Sequence, residues 1–550
     1  GAAYVTIHVR YKNFDQLSFA DLLVYSKLPV HPFWSHIESK IDFSFADTLC
    51  AVLYTGKGQR PYAPSLKLKI HLIQSYYALS DRLVEERIIS DLFIKRFLQL
   101  PVDFFGFDHS TIGLDRSRMG EVMFRACHLY ILAQMYSHGL WGEQNEQWII
   151  DSFPTNIHMG RRGAYRLIQH AMVRLVQHLR KQAPKSVRKA AESLPLDALG
   201  VRLSSAASSA TSMLAYSKLV AQAYGLLQWF NHETIKPLLA EWKSRARSEE
   251  LQATLLRILE ENSRPIGPDD GTRADLPDDV QFEKTPRDER PKNRVESAVD
   301  PQARTVVKRS KATIGYKTQN LCTTEGVILE VRTVPATEHD QDATADMVAT
   351  IQHFFGQTPA ALLGDSAYGH GRHRMLLAEQ GIHVVAPVQQ SPNPTGLFPS
   401  SLFSYDANED VFICPKGERS VRRNRSAKLE GTQYRFNKKI CFACPLSTQC
   451  TTSESGRSVF RSDYVDLYEE AQAYNESLAG QADLRTRYVV ERKNNELKND
   501  CGLGLTQTHS RTSLQLKALC AAMVVNLKHT VRKLVNPKPG FLRHVRAAHG

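Results

Sequence analysis

The chain has 550 residues, 42% of them hydrophobic; that is too long for one core and too apolar for disorder throughout, and it suggests roughly three or four domains. No apolar stretch reaches the ~18 residues that cross a bilayer and the N-terminus lacks a signal-peptide pattern, so a soluble intracellular protein is expected. The 70 basic against 57 acidic residues leave a net charge of +13, which favours a polyanionic partner over a membrane surface.

Residues 1–145 read as an N-terminal helical region. Ser44 to Val52 suits a short helix. From Pro64 apolar residues recur at mixed three-four spacing, Ser80-Asp81 reads as an N-cap, and Asp108-His109-Ser110-Thr111 caps a longer helix running through Met119 to Tyr136. Short capped helices suit helix-turn-helix-like DNA binding, and equally a helical packing domain.

Trp148-Ile149-Ile150, closed by Asp151, opens an α/β core whose first part is 146–185, with a helix from Ala164 to Lys181. A helical insertion fills 186–262. Residues 263–300 are polar and Pro-rich and read as a mobile linker. The core resumes over 301–390: strands at Thr313–Thr318 and Gly326–Val334, a helix to Phe355 capped by His339-Asp340, a strand at Ala360–Leu363 before Gly364-Asp365, a helix from Gly371 to Gln380, and a strand at His383–Ala386. With the Trp148–Ile150 strand this assembles a five-stranded mixed sheet with helices. A Cys-rich insertion at 391–465 and C-terminal core helices with a basic tail at 466–550 complete the order.

Asp151 and Asp365 at strand ends and Glu491 on a late helix can converge on a pair of divalent cations that serve phosphoryl transfer. An α-helix turns about 100° per residue, which puts Arg487 at about −40° and Lys498 at about −20° from Glu491, on one face. That face suits a metal ligand beside phosphates; an ordinary surface ladder of ion pairs is the competing reading. Beyond Asp500 there is no acidic residue and eight Lys or Arg, which is either a phosphate-binding or a solvated tail. Arg161 and Arg162 just after Asp151, and Arg422 and Arg423 beside Arg419, Arg425 and Lys428 in the Cys-rich insertion, are further phosphate candidates. Cys414-x26-Cys441-x2-Cys444-x5-Cys450 supplies four soft thiolates for a structural Zn²⁺. The remaining cysteines read as buried thiols. Gly364 to Gly371 lacks the phosphate-loop Lys-Ser/Thr pattern, so no nucleotide cofactor is expected.

Arg487-x3-Glu491-x6-Lys498 resembles the latter part of the Tyr-x2-Arg-x3-Glu-x6-Lys motif of bacterial insertion-sequence transposases of the DDE type. Leu363-Gly364-Asp365-Ser366-Ala367-Tyr368-Gly369 looks like their second-Asp motif, and Ile149-Ile150-Asp151-Ser152 like the first. Asp300-Pro301-Gln302-Ala303-Arg304 with Gly315-Tyr316-Lys317 is similar to the segment around their second strand. The helices from Pro61 to Met119 resemble the family's N-terminal domain, and Asn526-Leu527-Lys528 its closing helix. The resemblance implies a ribonuclease H-like core in which Asp151, Asp365 and Glu491 bind two Mg²⁺ (or Mn²⁺). Water would free a 3′-hydroxyl at the end of the element, and that hydroxyl would attack target DNA. It also implies a homodimer on DNA in a bacterial cytoplasm, associated with the nucleoid. The chain departs from the motif at Leu484, where the family has Tyr, and at Asn494, where an aromatic is common; both changes are expected to alter packing or end-strand contacts. A metal-dependent nuclease without strand transfer and a non-catalytic DNA-binding descendant are the rival readings.

Overall fold

The computed structural model describes residues 9–12, 14, 16–267, 280–389 and 395–536. At the N-terminal end, α1 (Pro64–Tyr76) starts at its proline, and α2 (Asp81–Ser90) and α3 (His109–Ser137) form where the capping residues place them. The Ser80 hydroxyl accepts from the Leu83 amide, and the Asp108 carboxylate from the Ser110 amide at 2.7 Å. Gly120, at φ 67°, kinks α3 in a backbone region that only glycine occupies cheaply.

β1 (Gln147–Ile157) follows and is longer than its apolar opening suggests. Asp151 therefore lies in mid-strand and not at a strand end. The chain then leaves the sheet for α4 (Ala164–Gln182), α5 (Ser209–Phe230) and α6 (Arg245–Asn262). These helices bury their own apolar core, separate from that of the sheet. The expected linker is tied down where it is described: Ser263–Pro265 pairs antiparallel with Phe282–Lys284, and Val295 and Ala298 are buried in the helical core. Residues 268–279 lie outside the described residues.

The sheet resumes with β2 (Lys311–Thr323), β3 (Ile328–Pro335), α7 (Thr344–Phe355), β4 (Ala361–Leu363), α8 (Gly371–Ala378) and β5 (His383–Val385). The order across the sheet is β3-β2-β1-β4-β5, with β1–β2 and β2–β3 antiparallel and β1–β4 and β4–β5 parallel. This is the ribonuclease H-like arrangement, a mixed α/β sheet with a helical region ahead of it. Arg304–Lys308 and Leu505–Thr506 extend it to seven strands among the described residues. The Cys-rich insertion carries small sheets of its own, including Arg422–Ser426, Gly431–Arg435 and Ser458–Ser462. The chain closes with α9 (Val465–Glu476), α10 (Leu478–Thr486), α11 (Tyr488–Asn495) and α12 (Arg511–Leu534).

One apolar core runs from the N-terminal helices through the sheet into α12. The outer edge of β3 would expose unpaired backbone groups, and two buried amides of α12 satisfy them. Asn526 accepts from the Ile328 amide and donates to its carbonyl, both at 2.8 Å. Gln515 does the same for the Thr333 amide (2.8 Å) and the Val331 carbonyl (2.9 Å). The basic residues past Asp500 are largely used internally. Arg511 pairs with Glu121, Lys533 with Glu325 and Arg532 with Glu496, and Lys528 sits over the Tyr76 ring. Lys538, Arg543 and Arg546 lie outside the described residues. No helix among the described residues is long and apolar enough to cross a membrane.

Candidate active site

Three segments meet at the centre of the sheet. Asp151 projects from mid-β1 opposite Asn320 of β2. Asp365 follows the end of the adjacent β4, and its carboxylate accepts from the Ala367 amide at 2.9 Å, capping the turn Ser366–Tyr368. Glu491 is exposed on α11, which packs on β1 and β2.

Burial pushes the Asp151 carboxyl up to about 6. The Ser152 amide and Arg487 oppose that rise, while the negative fields of Asp365 and Glu491 add to it. Two residues far along the chain thus act on one carboxyl. Arg487 belongs to the same group, and its Nε is buried with no hydrogen-bond partner.

Lys498 departs from the expectation. Residues Glu496–Asp500 form a π turn, so the α-helical phase that aligned Lys498 with Glu491 ends before reaching it. Arg161 and Arg162 are exposed in the loop after β1, and Arg422 is exposed in the Cys-rich insertion. Arg423 pairs with Asp410, and Arg425 and Arg419 pair with Asp463 and Glu409, so much of that insertion's positive charge is neutralised within it.

Several polar residues around Asp151 were not evident as a group from the sequence. Asn494 Nδ2 donates to Asp151 Oδ2 at 3.1 Å, and Asn320 Nδ2 donates to Asn494 Oδ1 at 2.9 Å. The replacement of the family's aromatic therefore changes what holds the first carboxylate and not merely packing. Asp340 is not a helix cap, since α7 starts at Thr344 after Ala343. Its carboxylate accepts from Ser152 Oγ at 3.0 Å and pairs with Lys317 Nζ at 2.6 Å. Tyr368 is buried, and burial together with Asp340 and Asp151 holds its phenol protonated. The only local signal for these contacts was the strand register, which sets Asn320 across from Asp151 and Gln319 across from Ser152. The two segments of the resemblance around the second strand also meet: Tyr316 donates to Asp300 at 2.5 Å, and the Ser510 amide donates to the same carboxylate at 2.7 Å.

A groove of about 1370 Å³ opens beside the Asp365 turn, lined from the core by Lys317, Asp340 and Ser366 and from the Cys-rich insertion by Tyr405, Phe460 and Tyr464. Within that insertion Cys414, Cys441, Cys444 and Cys450 line a single cavity of about 410 Å³. Burial raises the Cys450 thiol, Arg457 lowers it, and the other three cysteines raise it further. Among the described residues no group of three or more His, Cys, Asp or Glu side chains is arranged to hold a metal ion. The donor sets still differ in kind: carboxylate oxygens that suit a hard divalent cation, and four thiols that suit a softer one.

A ribonuclease H-like sheet that carries Asp151 on β1, Asp365 just after the adjacent β4 and Glu491 on a late helix packed against β1 is the class of fold to which the sequence comparison points. Residues 279–527 match the family described as "Transposase DDE domain", and residues 23–118 match "Transposase domain (DUF772)". The chain belongs to the transposases with a DDE domain. The DDE match begins after β1, so it contains Asp365 and Glu491 but not Asp151. Asp151 enters the site through the fold, because β1 pairs with β2 and β4 across the helical insertion. No curated protein and no solved structure registers as a match to the chain.

Proposed function

We propose that this transposase cleaves the ends of its own element and joins the freed 3′-hydroxyl to target DNA, with Asp151, Asp365 and Glu491 as its catalytic carboxylates. The observation that carries this reading is that β4 pairs with β1 and α11 packs on β1, which brings the segments of Asp151, Asp365 and Glu491 together; the fields of Asp365 and Glu491 add to the burial that raises the Asp151 carboxyl. Three acids on neighbouring elements, in a chain of net charge +13, suit cation-dependent work on phosphates.

The three carboxylates would hold two Mg²⁺ (or Mn²⁺), which when bound supply positive charge to the attacking and leaving oxygens. Asn494 fixes the orientation of Asp151, and Asn320 fixes Asn494. Arg487, with an unpartnered Nε near Asp151, has forked donors suited to a phosphate oxygen pair. Arg161, Arg162 and Arg422 are exposed cations for the backbone of bound DNA, with Lys498, inside the π turn, and Arg423, paired with Asp410, secondary to them. Cys414, Cys441, Cys444 and Cys450 would hold one structural Zn²⁺ that ties the insertion together. Two copies would bridge two DNA ends, as the resemblance implies.

The test is an assay on duplex DNA carrying the element's ends together with a target plasmid and Mg²⁺. The proposal expects nicked ends with 3′-hydroxyls and covalently joined target products. Cutting without joining would leave only a nuclease. Binding without cutting, with Mg²⁺ or Mn²⁺, would leave only a DNA-binding protein.

A further inference from the structure

Between Asp151 and Glu192 the chain has no acidic residue and nine Lys or Arg: Arg161, Arg162, Arg166, Arg174, Arg180, Lys181, Lys185, Arg188 and Lys189. All but Arg174 are exposed. On α4, Arg166, Arg174, Arg180 and Lys181 fall within a sector of about 120° at 100° per residue, so they form a stripe along one side. The stripe continues into the short helix Lys185–Ala190, where Arg180, Lys185, Arg188 and Lys189 line a cavity of about 700 Å³ that has Glu192 as its one carboxylate.

None of the nine forms an ion pair with a carboxylate among the described residues. The neighbouring α6 shows the ordinary alternative: Arg245, Arg247 and Arg257 are tied to Glu249, Glu250 and Glu261. On α4 the cations instead crowd each other. Burial, then Arg162 and Arg174, hold His170 below its ordinary value, and Arg174 is lowered by burial and by Arg247, with its Nε buried and unpartnered.

We propose that this face of the helical insertion is a contact surface for the phosphate backbone of duplex DNA. The inference rests on the reading of the chain as an enzyme acting on DNA, since α4 directly follows the strand that carries Asp151. Charge without apolar anchors favours nucleic acid over a protein partner: no large hydrophobic side chain is exposed between Tyr136 and Val201. Protein interfaces centre on buried apolar or aromatic residues, whereas DNA interfaces are polar and strongly basic. The 19 residues of α4 span about 27 Å, the length of about eight phosphates along one DNA strand. The contact is independent of sequence, because exposed Lys and Arg on backbone phosphates carry no base readout.

The test uses the full chain without divalent metal, so that nothing is cut, and a fluorescent random-sequence duplex titrated at several salt concentrations. The variant replaces Arg180, Lys185, Arg188 and Lys189 with Ala; all four are exposed, so circular dichroism and the melting curve should not change. Its affinity is expected to fall about tenfold or more at moderate salt, with the slope of log K against log[salt] shallower by about 3. A second variant that exchanges Lys for Arg and Arg for Lys at these positions should bind as the wild type does. Unchanged affinity and slope in the Ala variant would overturn the proposal, and so would competition by poly-glutamate as effective as competition by duplex of equal charge. Asp151→Asn serves as the parallel control. If Asp151→Asn still joins ends while the Ala variant loses affinity and slope, the catalytic reading falls and the surface stands; if Asp151→Asn loses joining while the Ala variant binds as the wild type does, the surface falls and the catalytic reading stands.

Discussion

Asp151 binds its proton more tightly in the folded chain than out of it, because a mid-strand position removes water and brings Asp365 and Glu491 near. Its carboxyl is raised from 3.8 to about 6. The stability gained by protonation is therefore complete below about pH 4 and is lost as pH rises through about 6. At pH 7 the ionised group costs the fold about 1–3 kcal/mol. Asp151→Asn should remove that cost, raising the melting temperature at pH 7 and leaving it nearly unchanged at pH 4. Equal shifts at both pH values would contradict this origin of the strain. Asn494 acts on the same carboxylate through one hydrogen bond. Asn494→Ala should keep DNA affinity and lower the single-turnover cutting rate about 10–100-fold, the range typical when a partner that orients a metal-binding group is lost. A rate within twofold of wild type would remove Asn494 from the site.

Among the elements, α12 stabilises the sheet edge by an unusual route, with side-chain amides standing where a neighbouring strand would be. Asn526→Ala leaves a donor and an acceptor of Ile328 unpaired in a buried place, so urea unfolding should show a loss of about 1–3 kcal/mol. A change below a few tenths would mean that water replaces the amide. Much of this level was legible in the sequence. Ser80 and Asp108 cap where local chemistry said they would, and four of the five core strands fall within a few residues of their apolar patterns. β1 was legible only to Ile150. Beyond it the strand continues with Phe153, Thr155 and Ile157 buried and polar residues between them, and Pro154 obscured the alternation. Asp340 looked like a cap because its real partners, Lys317 and Ser152, come from other strands. The α-helical phase used for Lys498 does not extend to it, because Glu496–Asp500 is a π turn that changes the angle per residue, and no local pattern announces it.

At the scale of the whole molecule, the trio of carboxylates survives a long detour. The chain leaves the sheet after β1, builds an independent helical core, and returns to place β2 beside the strand it left. That is why the order of acids and a helical insertion could be read from sequence, while the packing of α4 with that insertion instead of with the sheet, and the unpaired basic face on it, could not. The Cys-rich insertion has only a small apolar cluster of its own, centred on Phe403, Phe412, Tyr434, Phe436 and Val459. A core that small needs a staple, and the four cysteines around one cavity would provide it. Purified protein is expected to hold about one zinc per chain, released with loss of insertion structure by a chelator or in Cys441→Ser/Cys444→Ser. Zinc-free protein with an unchanged fold would refute the staple.

Asp151 lies outside the matched DDE segment, and we propose that it works as one unit with Asp365 and Glu491. Single-turnover cleavage of end DNA should be compared for wild type, Asp151→Asn, Asp365→Asn and Glu491→Gln, each first shown to be folded and to bind DNA normally. The account predicts that all three variants lose cleavage together, by about a thousandfold or more, as residues that act as a unit do. Substantial cleavage by Asp151→Asn beside inactive Asp365→Asn and Glu491→Gln would contradict it.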